Sequence, residues 1–196
     1  MTHRQRIKYH QNAWMIDVIG TDAGAPASLA TAQQQLIREA HWIAAPRRLQ
    51  PALNTWLNQP KTFIDSDDPR LLVEALQDVD ATAPGVVLAS GDPLWFGIGR
   101  MLGDRLGSAR LRFHPAPTSL QLAFARIGRP WQDATWVSLH GREPQAFSQA
   151  LQKRPAALAV LTDPNQGGAI SVRQMLVSSG LEASYDLWLC ENLGHP

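Results

Sequence analysis

Apolar residues in this chain fall into short blocks separated by stretches with helical spacing. The blocks Ala13 to Gly20, His41 to Ala45, Thr62 to Ile64, Gly85 to Ser90 and Leu111 to His114 read as strands. Between them, Leu29 to Ala40, Arg47 to Leu57, Pro69 to Val79 and Trp95 to Leu106 repeat apolar positions at the helical period. Regular alternation of strand and helix predicts a mainly parallel sheet covered on both faces, because right-handed crossovers place helices there. A further helix, Ser119 to Ile127, ends at Gly128, and Gly128-Arg-Pro-Trp131 reads as a connection between domains. Beyond it the pattern predicts strands near Trp136 to Leu139, Ala157 to Leu161 and Tyr185 to Glu191, with helices near Pro144 to Gln152 and Ala169 to Gly180. The expected organisation is an α/β domain over 13–128, a smaller mixed α/β domain over 132–196 that is short of sheet, and a basic arm over 1–12.

Composition narrows the function classes. With 196 residues, 44% hydrophobic and 18% charged, the chain can build a real core. A net charge of +1 gives no whole-molecule basic field, so nucleic acid is not an expected partner despite Arg4, Arg6 and Lys8. Cys190 is the only cysteine, which excludes an internal disulfide and a cysteine-based zinc cluster and fits a reducing, cytoplasmic setting. No metal site is expected. No apolar run approaches the roughly 20 residues that span a bilayer, and Met1 to Asn12 lacks the apolar core of a signal peptide.

The richest stretch chemically is Ala89-Ser-Gly-Asp-Pro-Leu-Trp-Phe-Gly-Ile-Gly-Arg100. It places Ser90, Gly91 and Asp92 between a buried strand and a helix start, at the carboxyl end of a sheet, where open α/β sheets bind ligands. Gly91 permits close approach to the main chain, and Pro93 fixes the first helical φ. Asp92 reads as a ligand-facing carboxylate or, equally, as an N-cap. No Gly-Lys-Ser/Thr follows and the dinucleotide glycine order is absent, so neither a P-loop nor a standard Rossmann fingerprint is present.

This loop, the segment Pro115-Ala-Pro-Thr-Ser-Leu-Gln-Leu-Ala-Phe-Ala-Arg126, the run Trp131 to Val137 with Ser138-Leu-His-Gly-Arg142, and Cys190-Glu-Asn-Leu-Gly194 together resemble the tetrapyrrole methylases. Within that family they are most similar to the cobalamin-pathway branch that methylates ring carbon C5. The likeness runs from about Ile16 to Gly194. It implies a two-domain fold with S-adenosylmethionine in a trough between the domains, S-adenosylhomocysteine as product, and a corrin precursor as methyl acceptor. Carried over by position, Ser90, Gly91, Asp92 and Trp95 fall on the cofactor loop. Thr118 and Ser119, His140 and Gly141, and Asp163 fall on its other contacts. Arg47 and Arg48 match an arginine pair suited to the carboxylates of the substrate, or else a solvated first turn. Arg126, Arg129 and Arg142 are weaker candidates. No catalytic residue is assigned, because a sulfonium methyl is already activated and alignment is the main demand. His140 reads equally as a structural strand-end histidine or a proton-handling group. Family likeness further implies a homo-oligomer, a dimer, and a C15-methylating decarboxylase as partner.

Two departures stand out. The family's first turn has the form Gly-x-Gly-Pro-Gly, whereas this chain has Gly20-Thr-Asp-Ala-Gly24. Asp22 is then either a charge facing an anionic substrate or a turn residue. Relatives also continue beyond the Glu-Asn-Leu-Gly motif, so the second domain is expected to lack part of its sheet and to expose an edge. Two alternatives stay open: a methylase of the same family with another acceptor, such as uroporphyrinogen or ribosomal RNA, and a cofactor-binding subunit without turnover.

Overall fold

Five parallel strands in the order β3-β2-β4-β1-β5 form the first sheet of a computed structural model that describes residues 15–79, 83–140 and 144–194. The strands are β1 (Ile16–Thr21), β2 (Trp42–Ala45), β3 (Thr62–Asp65), β4 (Gly85–Ser90) and β5 (Leu111–His114). Helices α1 (Thr31–Glu39), α2 (Gln50–Leu57), α3 (Pro69–Gln77) and α4 (Gly99–Leu106) connect them. Central strands are apolar on both sides, as a doubly covered sheet requires. Ile19, Ile43, Val86 and Leu88 pack with Ile37 of α1 and Leu53 of α2. Val18, Ala44 and Val87 pack with Leu72 of α3 and Leu102 of α4 on the other face. The expected mainly parallel sheet is therefore observed.

The described chain divides into two compact units, one through Pro117 and including Gly194, the other Thr118–Leu193. Helix α5 (Ser119–Ile127), which the sequence pattern attached to the first domain, belongs to the second unit. There, β6 (Thr135–Ser138) and β7 (Leu158–Leu161) pair in parallel, followed by α6 (Gln145–Gln152) and α7 (Gly168–Ser178) respectively. Val137, Leu139, Leu158 and Val160 face Phe147 and Leu151 of α6 and Leu176 of α7. On the opposite face, Trp136 stacks on Phe124 of α5, their rings 6.3 Å apart.

Two expectations need correction. Tyr185 to Glu191 is not a strand: its backbone is irregular, and it pairs with no ladder among the described residues. A pattern of alternating β-formers makes a strand only where a neighbour supplies hydrogen bonds. The helix expected from Trp95 begins at Gly99, because Asp92 to Ile98 is spent on turns, with Phe96 at φ 50°. The first residues of the expected strand from Ala13, and the arm at 1–12, lie outside the described residues.

Edge strand β5 is tied to the sheet by charge. Asp17 on β1 is buried and accepts hydrogen bonds from the Nε and Nη2 of Arg112, while His114 Nε2 lies 2.6 Å from the same carboxylate. The Asp17 carboxylate pushes the Arg112 guanidinium above its ordinary value. Hydrogen bonds to charged groups contribute about 1.5–3 kcal/mol, and Arg112 is half exposed, which puts this clamp at the low end. Asp17→Ala is expected to lower unfolding free energy in urea by about 2 kcal/mol, with an unchanged denaturant slope.

Candidate functional site

The sheet order creates a crevice at one place. Strand β1 leads to α1 on one face and β4 leads to α4 on the other, so the loops after these adjacent strands diverge. Open α/β sheets bind ligands at such switch points, outside the carboxyl ends of the strands. Gly20, Thr21 and the Ser90-Gly91-Asp92 loop occupy it.

Their geometry is locked by backbone contacts. Gly91, at φ 66°, donates its N–H to the Thr21 carbonyl at 2.7 Å. The buried Thr21 hydroxyl donates to the Ala89 carbonyl at 2.9 Å. A Cβ on Gly20 would meet the Gly91 carbonyl at 2.4 Å and the Ala116 Cβ at 2.7 Å, so only glycine lets the two strand ends approach this closely. Asp92 Oδ1 accepts the N–H of Leu94 at 2.8 Å, closing the turn after the strand. Trp95 stands edge-on to Phe96 with ring centroids 4.6 Å apart, and Leu94 and Phe96 are exposed beside it. Ser90, Gly91, Asp92 and Trp95 are thus brought together, but Asp92 is not the helix N-cap that the sequence offered as one reading: it closes a local turn, and the N-cap of α4 is Ile98.

The arginine pair divides. Arg48 Nη2 donates to the Ser90 hydroxyl at 2.6 Å, which carries its guanidinium to the crevice. Arg47 turns away: its Nε pairs with Asp65, and its backbone N–H reaches Asp67 at the end of β3. The backbone N–H of Asp67, and secondarily Arg47, hold the Asp65 carboxyl below its ordinary value against a partial opposing effect of burial. A depressed carboxylate supports the fold above the ordinary carboxylate range and loses that support as pH falls through its own lowered value.

The altered turn is also resolved. Asp22 Oδ1 accepts the N–H of Gly24 at 2.9 Å and the Ser28 hydroxyl, so one carboxylate oxygen is spent holding its own turn. Gly194, at φ 104°, lies against it, its carbonyl 3.0 Å from where a Gly24 Cβ would stand. The Glu-Asn-Leu-Gly motif therefore ends as a brace on the departed glycine turn. Sequence reading singled out this turn but missed Thr21 as the clamp. The available signal was a threonine closing a fully buried strand.

The candidates in the second unit are distinct from these. Thr118 is buried as the N-cap of α5, accepting from Gln121 N at 3.1 Å and donating its own N–H to the Gln121 side chain at 2.8 Å. Ser119 follows in the first turn. His140 and Asp163 sit two residues beyond the paired Ser138 and Leu161, at the carboxyl ends of β6 and β7. The exposed His140 imidazole has Nδ1 3.7 Å from Oδ2 of the buried Asp163, whose Oδ1 accepts Asn165 N at 2.9 Å. Gly141 and Arg142 lie outside the described residues. Arg129 pairs with Asp133 at 2.9 Å. Among the described residues there is no cluster of three or more metal-ligating side chains. No helix is long and apolar enough to cross a membrane among them either.

A doubly wound parallel sheet with its crevice at the β1–β4 switch point defines an α/β ligand-binding protein. Comparison with known proteins narrows this. Residues 15–196 match the family model described as Tetrapyrrole (Corrin/Porphyrin) Methylases, and the chain belongs to this family. It is 36% identical over 180 residues to the precorrin-6Y C(5,15)-methyltransferase [decarboxylating] of Sinorhizobium sp., covering 91% of this chain and 42% of that protein. It is 35% identical over 91 residues to the cobalt-precorrin-7 C(5)-methyltransferase of Salmonella typhimurium, covering 46% of this chain and 44% of that one. The chain thus spans less than half the length of the curated relatives it matches. Among solved structures, the methyltransferase CobJ superposes with a TM-score of 0.66 at 18% identity, covering 84% of this chain and 76% of that one. The precorrin-6Y methylase of Archaeoglobus fulgidus gives 0.56 at 20%, covering 76% and 73%, so both share the fold.

Gly20→Ala is expected to force β1 and β4 apart at their ends. Overpacking of this kind costs about 1–3 kcal/mol, and amide exchange should quicken at Thr21, Ser90 and Gly91 while the rest of the sheet stays protected.

Proposed function

We propose that this chain binds S-adenosylmethionine at the β1–β4 crevice and transfers its methyl group to ring carbon C5 of a precorrin, in the cytoplasm. The observation that carries the proposal is a switch-point crevice built from Gly20, Thr21 and Ser90 to Asp92 in a chain that matches a C5-methylating relative across 91% of its length. The residues present suit this cofactor. A serine hydroxyl, backbone groups at the strand ends and one carboxylate match an amino-acid tail and ribose hydroxyls, and no lysine-bearing phosphate loop is present. When bound, the cofactor supplies a methyl group already activated as a sulfonium.

The chain's own residues then position and shield. The Thr21–Gly91 lock fixes the crevice so that little reorganisation is needed on binding. Trp95, Phe96 and Leu94 offer an apolar rim for a flat macrocycle. Arg48 presents a guanidinium beside Ser90 for a substrate carboxylate, whereas Arg47 is already engaged by Asp65 and stays a brace of the β3 end. Asp22 is a turn residue in this reading. The proposal covers C5 transfer alone and leaves C15 methylation and decarboxylation to a separate partner.

Calorimetric titration with S-adenosylhomocysteine is expected to show saturable binding that Asp92→Ala weakens; a folded parent that binds nothing overturns the proposal. Arg48→Ala is expected to raise KM for the corrin precursor about 10- to 100-fold, the effect of one charge-assisted contact. It should leave S-adenosylhomocysteine affinity unchanged. Arg47→Ala is expected to leave KM near the parent value, and equal KM effects from both arginines would refute the division of roles.

A further inference from the structure

The loop from Pro93 to Gly99, between β4 and α4, is closed on itself. Gly99 donates its N–H to the Pro93 carbonyl at 2.7 Å, and Trp95 donates its own to the Asp92 carbonyl at 3.2 Å. The ring closes through two close approaches of the main chain. A Cβ on Gly97 would stand 2.8 Å from the Pro93 carbonyl, and one on Gly99 would stand 2.5 Å from the same oxygen and 2.9 Å from the Phe113 ring on β5. The loop is therefore seated on the sheet and has little room to relax.

Within this ring the chain passes through the left-handed region at Phe96, with φ 50°. A bulky side chain is poorly suited to that conformation. Asn58 and Asn192 share it but are of the residue type that tolerates it, and Arg154 follows the last turn of α6, where helices commonly end this way. Phe96 has neither reason. The residue is also 44% exposed, so burial offsets the strain only in part. Glycine or asparagine would fit the backbone better, yet an aromatic ring stands there beside the crevice.

Strain kept at the surface next to a ligand site points to what the residue contacts. Trp95 and Phe96 meet with ring centroids 4.6 Å apart and planes at 73°, so the two rings form a corner. One ring can stack on a flat partner while the other abuts its edge. We propose that Phe96 is a specificity-determining residue: its left-handed backbone holds the ring as a fixed wall that, with Trp95, selects a conjugated tetrapyrrole ring. The inference rests on the macrocycle reading of the crevice and assigns Phe96 to the acceptor, leaving the cofactor to the strand ends. A rigid wall suits a reaction that depends on which ring carbon is presented. Charge alone, supplied by Arg48, cannot tell a conjugated ring from an unconjugated one with the same carboxylates.

Calorimetric titration of the whole chain with two probes tests it: uroporphyrin, which is flat and conjugated, and uroporphyrinogen, which carries the same carboxylates on an unconjugated ring and is handled without oxygen. The parent is expected to prefer uroporphyrin about tenfold, the size of one aromatic contact. Phe96→Asn accepts the left-handed backbone but has no ring. It is expected to lose the preference and to unfold at a midpoint equal to the parent's or up to about 4 °C higher, because strain is relieved. Phe96→Tyr keeps the ring and is expected to match the parent. A parent without the preference, a Phe96→Asn variant that retains it, or one that unfolds below the parent overturns the proposal. S-adenosylhomocysteine affinity is expected to be alike in all three proteins. If the parent does not bind it, the methyl-transfer reading falls, and the two ring titrations still decide the role of Phe96.

Discussion

The first unit depends on how closely β1 and β4 approach at their carboxyl ends. Parallel neighbours normally leave their loops free, but here the Thr21 carbonyl accepts the Gly91 N–H and the Thr21 hydroxyl donates to the Ala89 carbonyl. Gly20 allows the contact because a side chain there would collide with the Gly91 carbonyl. That single close approach sets the position of Ser90, and through it the Arg48 guanidinium. It also fixes where the Asp92 turn begins. A site assembled this way is rigid before any ligand arrives, which suits a reaction that depends on alignment more than on proton transfer.

Charge around this end is arranged so that one cation points inward and the anions are spent locally. Asp65 and Asp67 hold Arg47 at the end of β3, and Asp22 satisfies its own turn and Ser28. Arg48 has a hydroxyl rather than a carboxylate as its partner, and a hydroxyl contact is readily exchanged for a charged one. The Arg48 guanidinium is therefore available to an anionic group at the crevice, with the nearby Asp22, Asp65 and Asp67 carboxylates committed to structure.

Much of this was legible in the sequence, and the exceptions share a cause. The five strands of the first sheet were legible because buried parallel strands are continuous apolar runs, and helix α5 because Thr118 and Gln121 carry a capping box. The Ser90 to Asp92 loop could be placed because strand, small-residue turn and helix follow in order. The different fates of Arg47 and Arg48 were not legible, since adjacent residues in a tight turn diverge by side-chain direction alone. Nor was the meeting of Gly194 with Asp22, which depends on a contact between residues far apart in sequence. The apolar run within Tyr185 to Glu191 predicts a strand that the structure does not form, because a strand is a property of two paired segments and the sequence shows only one.

The second unit shows the same lesson in its energetics. Its two strands are covered on both faces, by α5 on one side and by α6 and α7 on the other, so its core forms without more sheet. Among the described residues the β7 strand pairs only with β6, and a cavity lined by residues 156–162 of its edge lies between the helix layers. Apolar side chains at 187–189 stand at the margin of that space with most of their surface in water. Burial of each would be worth about 1.5–3 kcal/mol, a large share of the 5–15 kcal/mol that stabilises a typical domain. The core of the unit is therefore set by its helix layers, while Leu187 to Leu189 stay largely in water.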